Sequence, residues 1–363
     1  MDISELLRYA VEMGASDLHI KAGNVPFVRV DGALHPSTFP PVTALQTEEA
    51  ARGLMPEHKA REFAQHNEAD FGHTMPGVGR FRINVYRQRS TTGLAIRRVR
   101  SDVPTFEELL LPPVMRTLSD SSRGLILLTG PTGTGKTTTI ASIIGYINRT
   151  RRAHIVTIED PIEVVHEDDL SIVEQREIGV DTASYGVALK HVIRQDPDVI
   201  FVGEIRDPES ALSAIQAAET GHLVISTLHT IDATETVNRV LDLFPPGQQR
   251  EVRSSFAGAI RGIVSQRLAP RADGKGRVPA IEVLVANGRV YERILDPEGT
   301  IEIHDIIAEG EYYGMQTFDQ ALVKLVRDGL VAEEDAKRVS SNPHDFVLAL
   351  RGVLTRGAPS LSS

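Results

Sequence analysis

A short run near the middle of the chain has the residue types and spacing needed to hold a polyphosphate. Gly130-Pro131-Thr132-Gly133-Thr134-Gly135-Lys136-Thr137 fits the pattern G-x-x-x-x-G-K-[ST], whose backbone N–H groups surround phosphate oxygens. In this pattern Lys136 reaches the β- and γ-phosphates, and the Thr137 hydroxyl is a ligand of Mg²⁺. A chance match is expected at about the per-cent level for average composition. We therefore predict a nucleoside triphosphate site here.

The segments on either side of this loop have the order that a phosphate loop needs. Residues 125–128 form an apolar run that predicts a buried strand, and residues 138–147 predict a helix. Glycine permits the tight turn and the close approach of main chain to phosphate, and the helix N-terminus favours negative charge. The predicted nucleotide contacts are Gly130, Pro131, Thr132, Gly133, Thr134, Gly135, Lys136, Thr137 and Thr138.

Acidic side chains stand at the ends of two further predicted strands, residues 155–158 and 199–202. The candidates are Glu159, Asp160, Glu163, Asp198 and Glu204. In open parallel sheets, ligands bind beyond the carboxyl ends of strands. ATP hydrolysis needs a carboxylate near Mg²⁺ and a group that orients or deprotonates water. These patterns leave open which acid has which role, and a helix cap or surface position is the alternative for each.

Two histidines, His222 and His229, bracket a third predicted strand, residues 223–227. A neutral imidazole at that place could hydrogen-bond a γ-phosphate or the attacking water. The alternative is two histidines satisfied by neighbouring backbone. They predict no zinc site, because the chain has no cysteine and no HExxH spacing.

A basic stretch lies upstream, with no Asp or Glu between Phe71 and Ser101. Three explanations compete for it: a solvated strand face, a nucleic-acid track, or arginines offered to the nucleotide of a neighbouring subunit. The absence of Trp and the few aromatic residues weaken the nucleic-acid explanation, because single strands usually stack on rings. The arginines concerned are Arg80, Arg82, Arg87, Arg89, Arg97, Arg98 and Arg100.

Composition limits the class of protein. With 363 residues, the chain can form two domains. The absence of cysteine suits a cytosolic protein, and no apolar run is long enough to span a membrane. A net charge of −10 argues mildly against a nucleic-acid binder.

Hydrophobic periodicity predicts the domain organisation. An amphipathic helix at residues 3–11, a hairpin at 27–35, a helical segment around 47–63 and strands from 79 to 99 form a smaller α+β N-terminal domain, residues 1–101. Alternating strands and helices after it predict an α/β core with a parallel sheet and a helical C-terminal extension, residues 102–356. Residues 357–363 are predicted to be a disordered tail.

Several motifs together resemble the type II/IV secretion ATPase family, most closely the type IV pilus retraction ATPases. The resemblance covers nearly the whole chain and is far more specific than the phosphate loop alone. Residues 14–20 match near the start and 314–320 near the end. Residues 158–163 resemble the family's Asp box, 196–207 its atypical Walker B motif and 220–230 its His box.

The resemblance implies a PAS-like N-terminal domain and a RecA-like core that assemble as a homohexameric ring. It implies that Glu163 activates water and that Glu204 lies near Mg²⁺. Arg82 and Arg97 match positions that reach nucleotide from the N-terminal domain, while Glu159, His222 and His229 fall in motifs that line the site. The implied function is a cytoplasmic motor, peripheral at the inner membrane, that acts on a pilus platform protein; no nucleic acid is expected.

Two sequence features help to distinguish pilus retraction members of the family from extension and secretion members. Extension and secretion members commonly carry extra N-terminal domains and a four-cysteine zinc motif, and this chain has neither, which favours retraction over those alternatives. Retraction members usually show Ala-Ile-Arg-Asn-Leu-Ile-Arg-Glu late in the chain, whereas residues 289–296 here read Arg-Val-Tyr-Glu-Arg-Ile-Leu-Asp. A nucleic-acid translocase on the same core is a more distant alternative.

Overall fold

The computed structural model describes residues 2–30, 32–99 and 101–352. The chain divides into two compact units, Met1–Asp102 with Pro161–Val165, and Val103–Asp160 with His166–Ser363. The predicted tail at 357–363 and the basic residue Arg100 lie outside the described residues. The domain limits predicted above remain predictions.

A six-stranded antiparallel sheet organises the first unit, in the order β3-β2-β1-β6-β5-β4. The predicted N-terminal helix and hairpin are confirmed. The elements are α1 Ile3–Glu12, β1 Asp17–Lys21, β2 Phe27–Val30, β3 Ala33–Pro36, α2 Ala44–Leu54, α3 Glu57–His66, β4 Glu68–Met75, β5 Gly79–Gln88 and β6 Thr91–Arg98.

One face of this sheet supplies the core of the unit. Leu18 and Ile20 of β1 alternate with polar residues, and they are buried with Leu6 and Leu7 of α1. The single helical segment predicted around 47–63 is wrong. It forms two helices, because Pro56 follows Met55 and forces that residue into extended backbone, with ψ of 130°.

A seven-stranded sheet organises the second unit, in the order β13-β12-β7-β11-β10-β8-β9. Its strands pair in parallel except β13, which is antiparallel to β12. The strands are β7 Gly124–Thr129, β8 His154–Glu159, β9 Ile172–Glu177, β10 Val199–Val202, β11 Leu223–Leu228, β12 Ile260–Pro270 and β13 Arg277–Val285. The helices among them are α4 Val114–Ser119, α5 Lys136–Thr150, α6 Tyr185–Val192, α7 Pro208–Glu219, α8 Ala233–Asp242 and α9 Pro246–Ala259.

Helices cover both faces of this sheet, so its central strands are apolar throughout. Leu125 and Leu127 of β7 enter one core, while Ile126 and Leu128 enter the core on the opposite face. The predicted α/β core with a parallel sheet is confirmed, but β9, β12 and β13 were not predicted. Up to residue 352, five α-helices follow the sheet: α10 Gly288–Leu295, α11 Ile303–Glu309, α12 Phe318–Arg327, α13 Glu333–Val339 and α14 Pro343–Leu350.

Local signals explain where the helices near the site begin and end. Asp207 caps α7 through a capping box with Ser210, so it is a structural residue. Ser184 caps α6 at its start, and a 3₁₀ turn follows the helix at Ile193–Gln195. Among the residues described above, no helix is both long and apolar enough to cross a membrane.

Candidate nucleotide site

The predicted phosphate loop connects β7 to the N-terminus of α5. Three of its residues have backbone angles that L-amino acids with side chains rarely adopt: φ is 140° at Gly130, 82° at Gly133 and 90° at Gly135. These angles wrap the chain around a concave surface of backbone groups, and α5 begins directly behind it at Lys136. The geometry is that of an anion cradle.

The lysine of the loop is turned inward. Its Nζ donates to the carbonyl oxygen of Gly130 and, at 3.1 Å, to that of Pro131, and the residue is only 9% exposed. Burial lowers the pKa of Lys136 below its ordinary value, and the negative charge of Glu204 partly opposes this effect. A buried ammonium next to a carboxylate and a ring of N–H groups is suited to binding phosphate.

Glu204 is held at the carboxyl edge of the sheet, just beyond β10. Its Oε2 accepts a hydrogen bond from Nε of Arg206 at 2.8 Å, and its Oε1 lies 3.3 Å from Nε2 of His229. The parallel pairing of β10 with β11 explains this contact, because both residues follow the ends of neighbouring strands. The structure therefore brings together Lys136, Glu204 and His229, which the sequence had suggested separately.

Glu159, the last residue of β8, occupies the same edge. It is 8% exposed, and its Oε1 accepts hydrogen bonds from Thr157 Oγ1 at 2.6 Å and from Gln175 Nε2 at 3.0 Å. Its carboxylate is thus fixed in direction by two donors from β8 and β9.

Tyr185, the first residue of α6, lies in this acidic surrounding and was not predicted. A Cβ added at Gly203 would come 2.8 Å from the Tyr185 hydroxyl, so that glycine is needed for the contact. Burial raises the pKa of Tyr185, and the negative charges of Asp160, Glu204 and Glu159 raise it further. The hydroxyl therefore stays protonated and remains a hydrogen-bond donor near the strand ends.

Two predicted residues lie at the opposite edge of the sheet. His222 precedes β11, and its Nδ1 lies 2.9 Å from the carbonyl oxygen of Ala217. Asp198 precedes β10 and accepts from His154 N at 2.8 Å. Parallel strands place their amino ends together, roughly 20 Å from the carboxyl edge for a strand of six residues. Within this chain, His222 and Asp198 therefore have structural partners and do not join the cluster around Lys136.

The remaining candidates belong to the first unit. Arg82 makes a two-pronged contact with Asp70, with Nη2 at 2.6 Å and Nε at 3.1 Å from Oδ2. Arg97 donates from Nε to Asp17 Oδ1 at 2.9 Å. Glu163 is exposed in the segment Pro161–Val165. Acids from outside the basic stretch thus pair with its arginines, which weakens the nucleic-acid explanation further.

The residues around Lys136 fit a magnesium–nucleotide complex. Mg²⁺ is usually held by phosphates, water and one or two protein oxygens, rather than by a complete protein cage. Thr137 and Glu204 offer such oxygens next to the loop. In the described part of the chain, no three His, Cys, Asp or Glu side chains converge on a metal position.

Fold and site together define an ATPase of the P-loop class. The family model described as "Type II/IV secretion system protein" matches residues 1–341. The chain belongs to this family.

Individual relatives cover nearly the full chain. It is similar to the type IV pilus ATPase PilU of Pseudomonas aeruginosa, at 40% identity over 100% of the chain and 95% of the relative. It is equally similar to the type IV pilus "retractation" ATPase PilT of the same organism, at 41% identity over 95% of the chain and 100% of the relative. A crystal structure of the pilus retraction motor PilT with bound ADP superposes with a TM-score of 0.86 and 44% identity, over 95% of this chain and 98% of that one.

Proposed function

We propose that this chain is an ATPase motor of a type IV pilus machine, in which ATP hydrolysis drives pilus retraction. The observation that carries the proposal is the cluster of Lys136, Glu204 and His229 at the mouth of a glycine loop, in a chain 41% identical to a retraction ATPase over 95% of its length. A further relative described as a twitching motility protein, from Neisseria gonorrhoeae, is 43% identical over 87% of the chain.

The binding step exchanges hydrogen bonds within the loop. Nζ of Lys136 leaves the carbonyl oxygens of Gly130 and Pro131 and contacts the β- and γ-phosphates. Thr137 and Glu204 would hold Mg²⁺, which would neutralise charge on the phosphate oxygens. Because Arg206 and His229 already contact Glu204, its carboxylate is oriented before nucleotide binds.

Hydrolysis needs a group that takes a proton from the attacking water. We assign this role to Glu163, with Glu159 orienting polar groups at the adjacent strand end. His229, in contact with Glu204, is placed to respond to loss of the γ-phosphate. Each assignment follows from the family motifs, supported by the order of strand ends in the sheet.

The active form is proposed to be a homohexamer in which the N-terminal domain of one subunit offers Arg82 and Arg97 to nucleotide. The contacts with Asp70 and Asp17 orient both guanidinium groups in the isolated chain. Each arginine must exchange part of this pairing for phosphate oxygens when it acts on the transferring group. We further propose that the ring acts at the cytoplasmic face of the inner membrane on a pilus platform protein.

A second candidate, a pilus ATPase with a role other than retraction, is favoured by one observation. The segment 289–296, most of which forms α10, departs from the sequence usual in retraction members. The similar identity to a pilus ATPase whose name specifies no direction, 40% over the whole chain, agrees with this alternative.

Deleting the gene and imaging fluorescent surface pili separates the two candidates. Loss of retraction with continued extension is expected, and wild-type chain but not Lys136→Ala should restore it. Pili that shorten at the wild-type rate in the deletion strain would contradict the retraction proposal and favour the second candidate.

A further inference from the structure

A glutamine on the strand next to the phosphate loop contacts the loop directly. β12 pairs in parallel with β7, and Ser265 lies opposite Thr129. Gln266 is therefore level with Gly130, the first residue of the loop. It is 3% exposed, so its amide group is withdrawn from water.

Both ends of this amide are used. Nε2 of Gln266 donates to the carbonyl oxygen of Thr134 at 2.6 Å, and Oε1 accepts from the hydroxyl of Thr139 at 2.9 Å. The Thr134 carbonyl can only accept, so the nitrogen of the amide must face it. Gln266 thus joins the loop to the second turn of α5 through one rigid planar group.

The contact with Thr134 sets the direction of a neighbouring backbone donor. A trans peptide is planar, and the carbonyl of one residue points opposite to the N–H of the next. Because the Thr134 carbonyl points toward Gln266, the N–H of Gly135 points away from β12, toward the concave side of the loop. That N–H is one of the groups a phosphate loop uses to bind phosphate oxygens.

The same strand explains why Gly130 must be glycine, and it also lies against Gly135. A Cβ at Gly130 would lie 2.5 Å from the backbone oxygen of Gln266, and a Cβ at Gly135 would lie 2.9 Å from its Nε2. The loop is packed directly against Gln266, so its curvature and the position of β12 are linked.

We infer that Gln266 is a positioning residue for nucleotide binding, which holds the Thr134–Gly135 peptide with its N–H directed at the phosphates. This inference rests on the proposed function only in that the loop binds a nucleotide. It assigns to Gln266 no contact with the nucleotide and no part in proton transfer.

The position of the contact predicts which nucleotides are affected. Gly135 lies in the part of the loop that surrounds phosphates common to ADP and ATP, whereas groups that meet the γ-phosphate affect ATP alone. Loss of the Gln266 contact should therefore weaken both nucleotides by the same factor. We expect about tenfold, the factor equivalent to one net hydrogen bond.

The test is equilibrium binding of MgADP and of a non-hydrolysable MgATP analogue to the full-length Gln266→Met variant. Methionine has a similar shape and length but makes neither hydrogen bond. The matched control is Gln316→Met, because the Gln316 amide bonds to the carbonyl oxygen of Ile281 instead of to the loop. Its dissociation constants should stay within about twofold of wild type.

A second readout reports the orientation itself. Amide hydrogen exchange of the loop peptide in nucleotide-free protein should be faster in Gln266→Met than in Gln316→Met, while exchange in β7 is alike in both. Unchanged affinity for both nucleotides in Gln266→Met would overturn the inference, as would a loss confined to the ATP analogue.

A second variant keeps the inference testable if Gln266→Met does not fold. Thr139→Val removes only the hydroxyl that fixes the amide, and we expect about a threefold rise in both dissociation constants. Unchanged constants in this variant would count against the inference. Failure of wild-type protein to bind any nucleotide would instead refute the proposed function, so the two failures are distinguishable.

Discussion

Lys136 and Glu204 form an electrostatic pair whose members have different roles. The loop shields Lys136 from water. This burial lowers the pKa of Lys136, and the carboxylate of Glu204 partly opposes the effect. Glu204 is tied to Arg206 and His229, and its side chain is only 17% exposed. Removing Glu204 leaves the buried lysine poorly compensated, whereas Glu204 keeps its contact with Arg206 when the lysine is removed, and only the lysine is built into the phosphate cradle.

Substitution at these two positions should separate binding from hydrolysis. Lys136→Ala removes a phosphate contact and should abolish ATP turnover together with most nucleotide affinity. Glu204→Gln keeps the shape and the contact with Arg206, so we expect nucleotide affinity within a few-fold of wild type and turnover reduced by about 10²-fold or more. Steady-state ATPase rates and nucleotide titrations measure both, and near-normal turnover in Glu204→Gln would remove it from the metal-binding role.

At the scale of the element, a buried acid of β13 contacts the start of α8. Glu282 of β13 accepts a hydrogen bond from Ala233 N at 2.9 Å. Burial raises its pKa to about 7; Asp232 and Asp319 act in the same direction, while the Ala233 hydrogen bond and Arg267 oppose them. The carboxyl is therefore partly protonated at neutral pH, and it holds the helix that follows His229.

This carboxyl predicts a pH dependence of stability. Its folded-state pKa of about 7 exceeds its ordinary value of 4.5, so its contribution is fully present below pH 4.5 and is lost as pH rises through 7. Glu282→Gln keeps an acceptor for Ala233 without a charge. We expect it to be more stable than wild type at pH 8, by up to about 3 kcal/mol, with a smaller difference at pH 5.

Chemical denaturation at the two pH values measures the effect. The exposed residue Glu298 supplies the control, because Glu298→Gln should change stability by a similar small amount at both. A Glu282→Gln variant that is destabilised at pH 8 would show that the buried charge is compensated in the folded protein.

Some helices and strands of the structure could be predicted from the sequence, and others could not. The phosphate loop and the acids after β8 and β10 were predictable, because strand, turn and helix signals are local. β12 was not predicted because Ser265, Gln266 and Arg267 interrupt its apolar run. The contact of Gln266 with the phosphate loop was therefore not predicted either. His222 was assigned to the site with His229 because both fall in the stretch that resembles the family's His box, although the two flank opposite ends of β11.

At the scale of the whole molecule, the basic stretch of the first unit has a distinct charge arrangement. Arg82 and Arg97 pair with Asp70 and Asp17, and Arg87 lies 3.6 Å from Glu48. These pairs are partly exposed, so each contributes little to stability and can be exchanged for another anion at low cost. The sequence indicated a basic stretch, but the acids that pair with it come from other strands and a helix.

Assembly should make two of these arginines essential. If they act on nucleotide in a ring, Arg82→Ala and Arg97→Ala should lower turnover by up to about 10³–10⁵-fold without loss of hexamer. Arg87→Ala is the matched control from the opposite face of the same strand, where Arg87 lies over the ring of Phe63, and it should stay near wild type. Light scattering gives the oligomeric state and an ATPase assay the rate; a strictly monomeric protein with nucleotide bound would refute the ring.

Strand β12 contacts two separate parts of the second unit, the phosphate loop and the C-terminal helices. Gln266 faces the phosphate loop, and the next residue, Arg267, stacks 3.8 Å from the ring of Phe318 and donates to the carbonyl oxygen of Val339. Successive side chains of a strand point to opposite faces, so β12 contacts the phosphate loop on one face and the C-terminal helices on the other. Because both contacts belong to one strand, a shift of β12 would change its contact with the phosphate loop and its contacts with α12 and α13 together.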